Sequence, residues 1–114
     1  MKRIEVFVPI VKCRPVVEAL KKTGVTGITI HDARGQGKGA RPIVSGLRGT
    51  AKFVAEFSSI NSIVTVVDDS QVDQVIAAIV NAAGTGSHGD GKIFISTIDE
   101  TVDIGTNRKG ISAL

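Results

Sequence analysis

The residues of this chain best suited to chemistry lie in two stretches rich in glycine and cations. Thr85-Gly86-Ser87-His88-Gly89-Asp90-Gly91-Lys92 leads from an apolar helical stripe into a strand. Successive N–H groups in such a turn can form a concave nest for an anion; glycine lets a phosphate come close, and Lys92 adds a point charge. The spacing is not that of a Walker A loop, which leads from a strand into a helix. The same residues also suit a plain turn ending in a surface lysine. The second stretch, residues 34–52, holds five cations (Arg34, Lys38, Arg41, Arg48 and Lys52) and no acid. Five of the 13 glycines fall there and four more between Gly84 and Gly91. The net charge is +3, so everything outside the second stretch sums to −2. Two loops thus hold nine of the 13 glycines, and one of them the chain's uncompensated positive charge, and loops are where function is usually carried.

Other reactive side chains are isolated. Cys13 is the only cysteine, has no histidine near it in sequence, and reads as a small packed thiol. His31 and His88 are far apart, with no cysteine or acidic pattern around them to suggest zinc. His88 reads as a solvated loop residue within reach of phosphate charge.

The elements that must position these loops follow from periodicity. Ile4, Val6 and Val8 alternate with Glu5 and Phe7, predicting a strand that stops near Pro9. Pro15 is expected in the first turn of a helix carrying Val16, Val17 and Leu20, ended by Gly24. Val25 to Asp32 reads as a second strand. A long strand region runs from about Phe53 to Val67, with Ser58-Ser59 and Asn61-Ser62 suggesting a kink. Asp69 or Ser70 caps a second helix, whose stripe of Val72, Val75, Ile76, Ile79 and Val80 is the clearest signal in the chain. Lys92 to Ile98 is a further strand, followed by a short extended piece, Thr101 to Ile104.

The order β-α-β, long loop, β-α-β predicts an α+β, ferredoxin-like βαββαβ fold with an antiparallel sheet and both helices on one face. The long loop is an insertion between the second and third strands. Strand residues Ile63, Val64, Val66 and Val67 are apolar on both faces, so the second face is expected to be buried against other subunits. At 114 residues, with 42% hydrophobic and 22% charged content, the chain reads as one globular domain, 1–114. Its short apolar runs predict no membrane span, no signal peptide is read, and a lone cysteine fits a reducing cytoplasm.

Thr85, then Gly89-Asp90-Gly91-Lys92-Ile93-Phe94-Ile95 with Ile98 three residues on, resembles the C-terminal signature of the PII nitrogen-regulatory and PII-like signal-transduction family. The resemblance covers essentially the whole chain: Met1-Lys2-Arg3-Ile4-Glu5, Glu18-Ala19-Leu20, Gly27-Ile28-Thr29-Ile30, Arg48-Gly49 and Val72-Asp73-Gln74-Val75 are all similar to it. It implies a homotrimer that binds ATP or ADP between subunits and meets a protein target through its long loop. Ammonium transporters and nitrogen-metabolism enzymes are the usual targets, so membrane contact would come only through a transporter. It implies a T-loop at about 34–52, a B-loop at about 84–92 and a C-terminal loop and tail at about 105–114. Carried over by position, Gly27, Ile28 and Thr29 line the adenine, and Gly35, Gly37 and Lys38 form the T-loop base. Gly89, Asp90, Gly91 and Lys92 cradle the phosphates.

Departures from the family pattern narrow that implication. Its pair of C-loop arginines is replaced by Asp103 and Gly105, leaving Arg108 and Lys109 as substitutes a few residues on. With fewer cations, ADP or AMP gains on ATP. Gly39 or Ala40 stands where the family has a glutamine for magnesium and 2-oxoglutarate, and Ile60 where it has a lysine. Both replacements argue against sensing of 2-oxoglutarate with Mg. The chain has no tyrosine, which excludes tyrosine nucleotidylation; Leu47 and Phe53 stand at the aromatic positions.

The leading function is therefore an adenine-nucleotide-sensing regulator of a transporter or metabolic enzyme. Its alternative is a divergent PII-like regulator of carbon, bicarbonate or other transport that senses ADP, AMP or a cyclic nucleotide. A nucleotide hydrolase is the competing class, but Asp90 is the only base or metal carboxylate in the loop, and no enzyme is expected. A nucleic-acid binder would rest on the cationic loop and a pI of about 9.3. With 4% aromatics and no Trp or Tyr there is no stacking platform for bases, so no nucleic-acid partner is expected.

Overall fold

The computed structural model describes residues 1–37 and 57–114, together with the backbone of two short strands at 43–45 and 52–54. Strand β1 (Lys2–Pro9) passes directly into helix α1 (Ile10–Lys22), and β2 (Thr29–Gly35) follows. Strands β3 (Ile43–Ser45) and β4 (Lys52–Val54) form an antiparallel ribbon, set inside the stretch read from sequence as loop. Then come β5 (Ser58–Val67), α2 (Val72–Ala83) and β6 (Lys92–Thr97). The main sheet has the order β2-β5-β1-β6 and is antiparallel throughout, as a ferredoxin-like α+β fold requires.

Alternation along β1 decides which face the helices cover. Ile4, Val6 and Val8 are buried, with Ile63 and Val67 of β5 beside them. Val16 and Leu20 of α1, and Val75, Ile79 and Ala83 of α2, close over that face at the spacing of one helical side. Each Val, Leu or Ile among them, fully buried, contributes roughly 1.5–3 kcal/mol relative to exposure. Two polar residues inside the core are tied down: the Thr65 hydroxyl donates to the Gly27 carbonyl at 2.7 Å, and the Asn61 amide donates to Asp32 at 2.9 Å.

The opposite face carries Arg3, Glu5 and Phe7 on β1, Val64 and Val66 on β5, and Phe94 on β6. Phe7 and Phe94 meet edge to face with centroids 5.9 Å apart. Glu5 accepts from the Ser62 hydroxyl at 2.7 Å and pairs with Arg3 at 3.0 Å, and those two partners hold its carboxyl below the usual range. Phe94 remains 56% exposed, so this face lacks a cover in the single chain.

Several boundaries differ from the sequence reading. Pro15 lies inside α1 rather than in its first turn, because Pro9 sets the start of the helix and α1 begins at Ile10. The second strand begins at Thr29, not Val25; Val25 and Ile28 pack against the core from the preceding loop. The second helix is introduced by Asp68, which accepts from the Ser70 N–H, while Gln71 accepts from the Asp68 N–H across a 3-10 turn at Asp69–Gln71. The last strand stops at Thr97, and the extended piece near 101–104 is a single bridge, Val102 to Lys109.

Candidate functional site

The pairing register brings four element ends to one edge of the molecule. Phe7 stands opposite Lys92, the first residue of β6, and Pro9 stands opposite Ile60. Ile60 also pairs with Ala33, and Gly35 with Ser58 at the start of β5. Where β1 turns into α1, β2 leaves, β5 arrives and β6 begins, there is an open cleft of about 1100 Å³. Its lining is mixed: Phe7, Pro9, Ile10, Val11, Ile60 and Phe94 supply apolar surface, and Arg34, Gln36, Ser58, Ser59, His88 and Lys92 supply polar groups beside the backbone of Gly35, Gly37, Gly89 and Gly91. Its described lining includes two permanent cations and no carboxylate.

Backbone geometry explains the glycines nearest the cleft. Gly91 has φ +126°, and a Cβ on it would sit 2.1 Å from the Phe7 carbonyl oxygen. The loop is thus pressed against β1, in a conformation that other residues avoid. A Cβ on Gly35 would meet Ile60 Cδ1 at 2.8 Å, so the wall at this corner is packed tight.

The loop leading to Lys92 is organised by an anion of its own. The Asp90 carboxylate accepts from the Thr85 N–H at 2.6 Å, from the Thr85 hydroxyl, and from the Ser87 N–H at 3.1 Å. Bonds from Thr85, first its hydroxyl and then its N–H, hold the Asp90 carboxyl below the ordinary aspartate range. Ser87 Oγ accepts from the Gly89 N–H at 3.2 Å and completes a short 3-10 turn, His88–Asp90. The nest expected to receive a ligand phosphate is therefore filled at 85–87 by Asp90, and the cleft is lined by 88, 89, 91 and 92 instead.

Of the residues singled out in sequence, Gly35, Gly37, Gly89, Gly91 and Lys92 converge on the cleft. Gly27, Ile28 and Thr29 lie elsewhere, at the beginning of β2, with Ile28 packed on the core. Arg108 and Lys109 stand on the return limb of a hairpin at 102–109. There the Asp103 carboxylate accepts from the Gly105 N–H at 3.1 Å and from the Thr106 hydroxyl at 2.8 Å. Lys38, Gly39, Ala40 and Leu47 lie outside the described residues, as does the side chain of Phe53. Arg34, His88 and the apolar lining residues were not singled out as site residues. For Phe7 and Phe94 the available signal was their place on the strand face opposite the core; for Ile10 and Val11 there was none.

Over residues 1–108 the chain matches the profile of the family described as nitrogen regulatory protein P-II. The chain belongs to the P-II family. The P-II protein of Azospirillum brasilense is 40% identical over the full length of both chains. Those of Rhizobium meliloti and Synechocystis sp. are each 39% identical, again over both full lengths. P-II proteins are named as regulators rather than enzymes, and the chain is a signal-transduction regulator of the P-II type. Among the described residues no helix is long and apolar enough to cross a membrane.

Proposed function

We propose that this P-II-type regulator senses an adenine nucleotide, ADP or ATP with AMP as a further ligand, in the cleft between residues 34–37 and 88–92. One observation carries the reading. Four glycines and a lysine chosen from sequence, in two stretches more than fifty positions apart, line one cleft that also offers apolar side chains for a base and two cations for phosphates. Lys92 and Arg34 supply charge, and the glycines admit phosphate oxygens to the backbone. Occupation is coupled to residues 34–52, which dock on a protein target such as an ammonium transporter or a nitrogen-metabolism enzyme. The ligand drives this switch only through unequal affinity for the two states of that segment.

We infer a homotrimer, supported by the uncovered sheet face around Phe94 and Val64. In that assembly Gly27–Thr29, Arg108 and Lys109 complete a neighbour's cleft. Calorimetric titration with ATP, ADP, AMP and cyclic AMP, each with and without Mg and 2-oxoglutarate, tests the ligand. Binding without turnover is expected; no binding of any of the four at millimolar concentration overturns the reading. Light scattering tests the assembly, for which a mass three times the 11.9 kDa chain is expected.

A second regulator reading is favoured by Ile60. As an apolar wall residue packed on Gly35, it offers no charge to a dicarboxylate. A response to ADP, AMP or a cyclic nucleotide alone, indifferent to 2-oxoglutarate, points to control of carbon, bicarbonate or another transport process.

A further inference from the structure

We propose that Asp90 is a positioning residue: an internal anion that sets the loop 84–92 in its phosphate-receiving shape without touching the ligand. The inference rests on the nucleotide reading above and concerns how that site is built.

Three observations support it. First, the two sides of the loop are separate. Asp90 takes donors from Thr85 and Ser87, and none of Thr85, Gly86, Ser87 or Asp90 lines the cleft. His88, Gly89, Gly91 and Lys92 do. Second, the carboxylate crosslinks the loop from its first residue to its sixth. Thr85 binds it through both N–H and hydroxyl, and Ser87 N–H joins the same oxygen as Thr85 N–H. Third, the next residue along is the one with no slack. Gly91 is held against the Phe7 carbonyl, so a change in the Asp90 backbone passes directly to Gly91 and Lys92. A negative charge beside a phosphate site would ordinarily weaken binding. Here it is engaged by three donors of its own loop and faces away from the cleft.

The carboxylate does two jobs that an amide cannot. It accepts at both oxygens at once, and it neutralises N–H dipoles that would otherwise remain open in an exposed turn. The role therefore predicts loss in the phosphate-dependent part of affinity alone. Asp90→Asn, Thr85→Val and Thr85→Ser are titrated with ADP and with adenosine. Asp90→Asn and Thr85→Val are each expected to weaken ADP about tenfold, the effect of losing a charge-assisted bond. Adenosine affinity should stay within about twofold, and Thr85→Ser, which keeps the hydroxyl, should restore ADP binding. Combined, the two weakening changes should cost little more than either alone, since they remove one device.

Equal loss for ADP and adenosine would reduce Asp90 to a general fold residue and overturn the inference. So would unchanged ADP affinity in both variants. If Asp90→Asn fails to fold, Thr85→Val, which keeps the carboxylate, decides alone. Failure of the unaltered chain to bind ADP sinks the nucleotide reading itself, and this role with it. An unaltered chain that binds ADP as well as both variants do sinks only the role of Asp90.

Discussion

In the loop after α2 and in the hairpin at residues 102–109, an aspartate turns back to accept bonds from its own turn. Asp90 gathers Thr85 and Ser87; Asp103 gathers Gly105 and Thr106. The local chemistry is nearly the same, yet the first turn contributes residues to the cleft and the hairpin contributes none. The register of β1 against β6 puts Lys92 opposite Phe7 and so delivers the first loop to the corner where four elements end. The hairpin is closed by its own bridge, Val102 to Lys109, and none of its residues lines that cleft. A self-closed acidic turn thus provides shape, and the sheet provides an address for it.

The sharpest way to break this comparison is at the glycines. Gly91→Ala places a methyl group against the Phe7 carbonyl and should lower folding stability by about 2–4 kcal/mol in urea unfolding. Gly105→Ala, whose Cβ would lie 3.8 Å from Asp103 Oδ1, should stay within about 0.5 kcal/mol. A smaller contrast is expected at the cations. Lys92→Ala should weaken ADP about tenfold by calorimetry, and Arg108→Ala only about threefold, through an exposed and screened contact. An equal loss at both positions would place the hairpin on the phosphates as firmly as the first loop.

Acid should loosen the loop around Asp90. The Asp90 carboxyl is depressed in the folded chain, so its contribution is complete above the ordinary aspartate value and is lost as pH falls through the lower, folded one. Nuclear magnetic resonance titration of its carboxyl carbon should show a midpoint below 3.8, the ordinary aspartate value. A midpoint at or above that value would argue against the three-donor geometry. A small effect is expected from Thr106→Ala, which removes two exposed hydrogen bonds, the hydroxyl's own to Asp103 and the one it accepts from the Arg108 N–H. It should cost about 0.5–1 kcal/mol at most and leave ADP affinity unchanged.

The fold was largely legible before the structure, because its signals are periodic. Alternation at Ile4, Val6 and Val8 and the α2 stripe each mark one face of one element, and faces fix the layers. Boundaries were harder to read where two signals competed. Pro15 looked like a helix start, but Pro9 had already taken that part. The glycine-rich loop could be picked out by composition, and Gly35, Gly37, Gly89, Gly91 and Lys92 did meet. The inward turn of Asp90 could not be read, since a carboxylate in a glycine-rich loop looks the same whether it faces a ligand or its own backbone. Ile10 and Val11 were equally opaque: they reach the cleft only because β1 and α1 join without a connecting residue.

That junction has a mechanical consequence. Pro9 fixes the corner between strand and helix, and Pro9, Ile10 and Val11 form one jaw of the cleft with no loop to give way. On the other side of the lining are Gly35 to Gly37, at the end of β2, where the chain leaves the sheet toward Lys38, Arg41, Arg48 and Lys52. A vice with one fixed jaw transmits all its travel to the other. In the function proposed above, the work a ligand does in closing this cleft is directed along the backbone into the cationic segment.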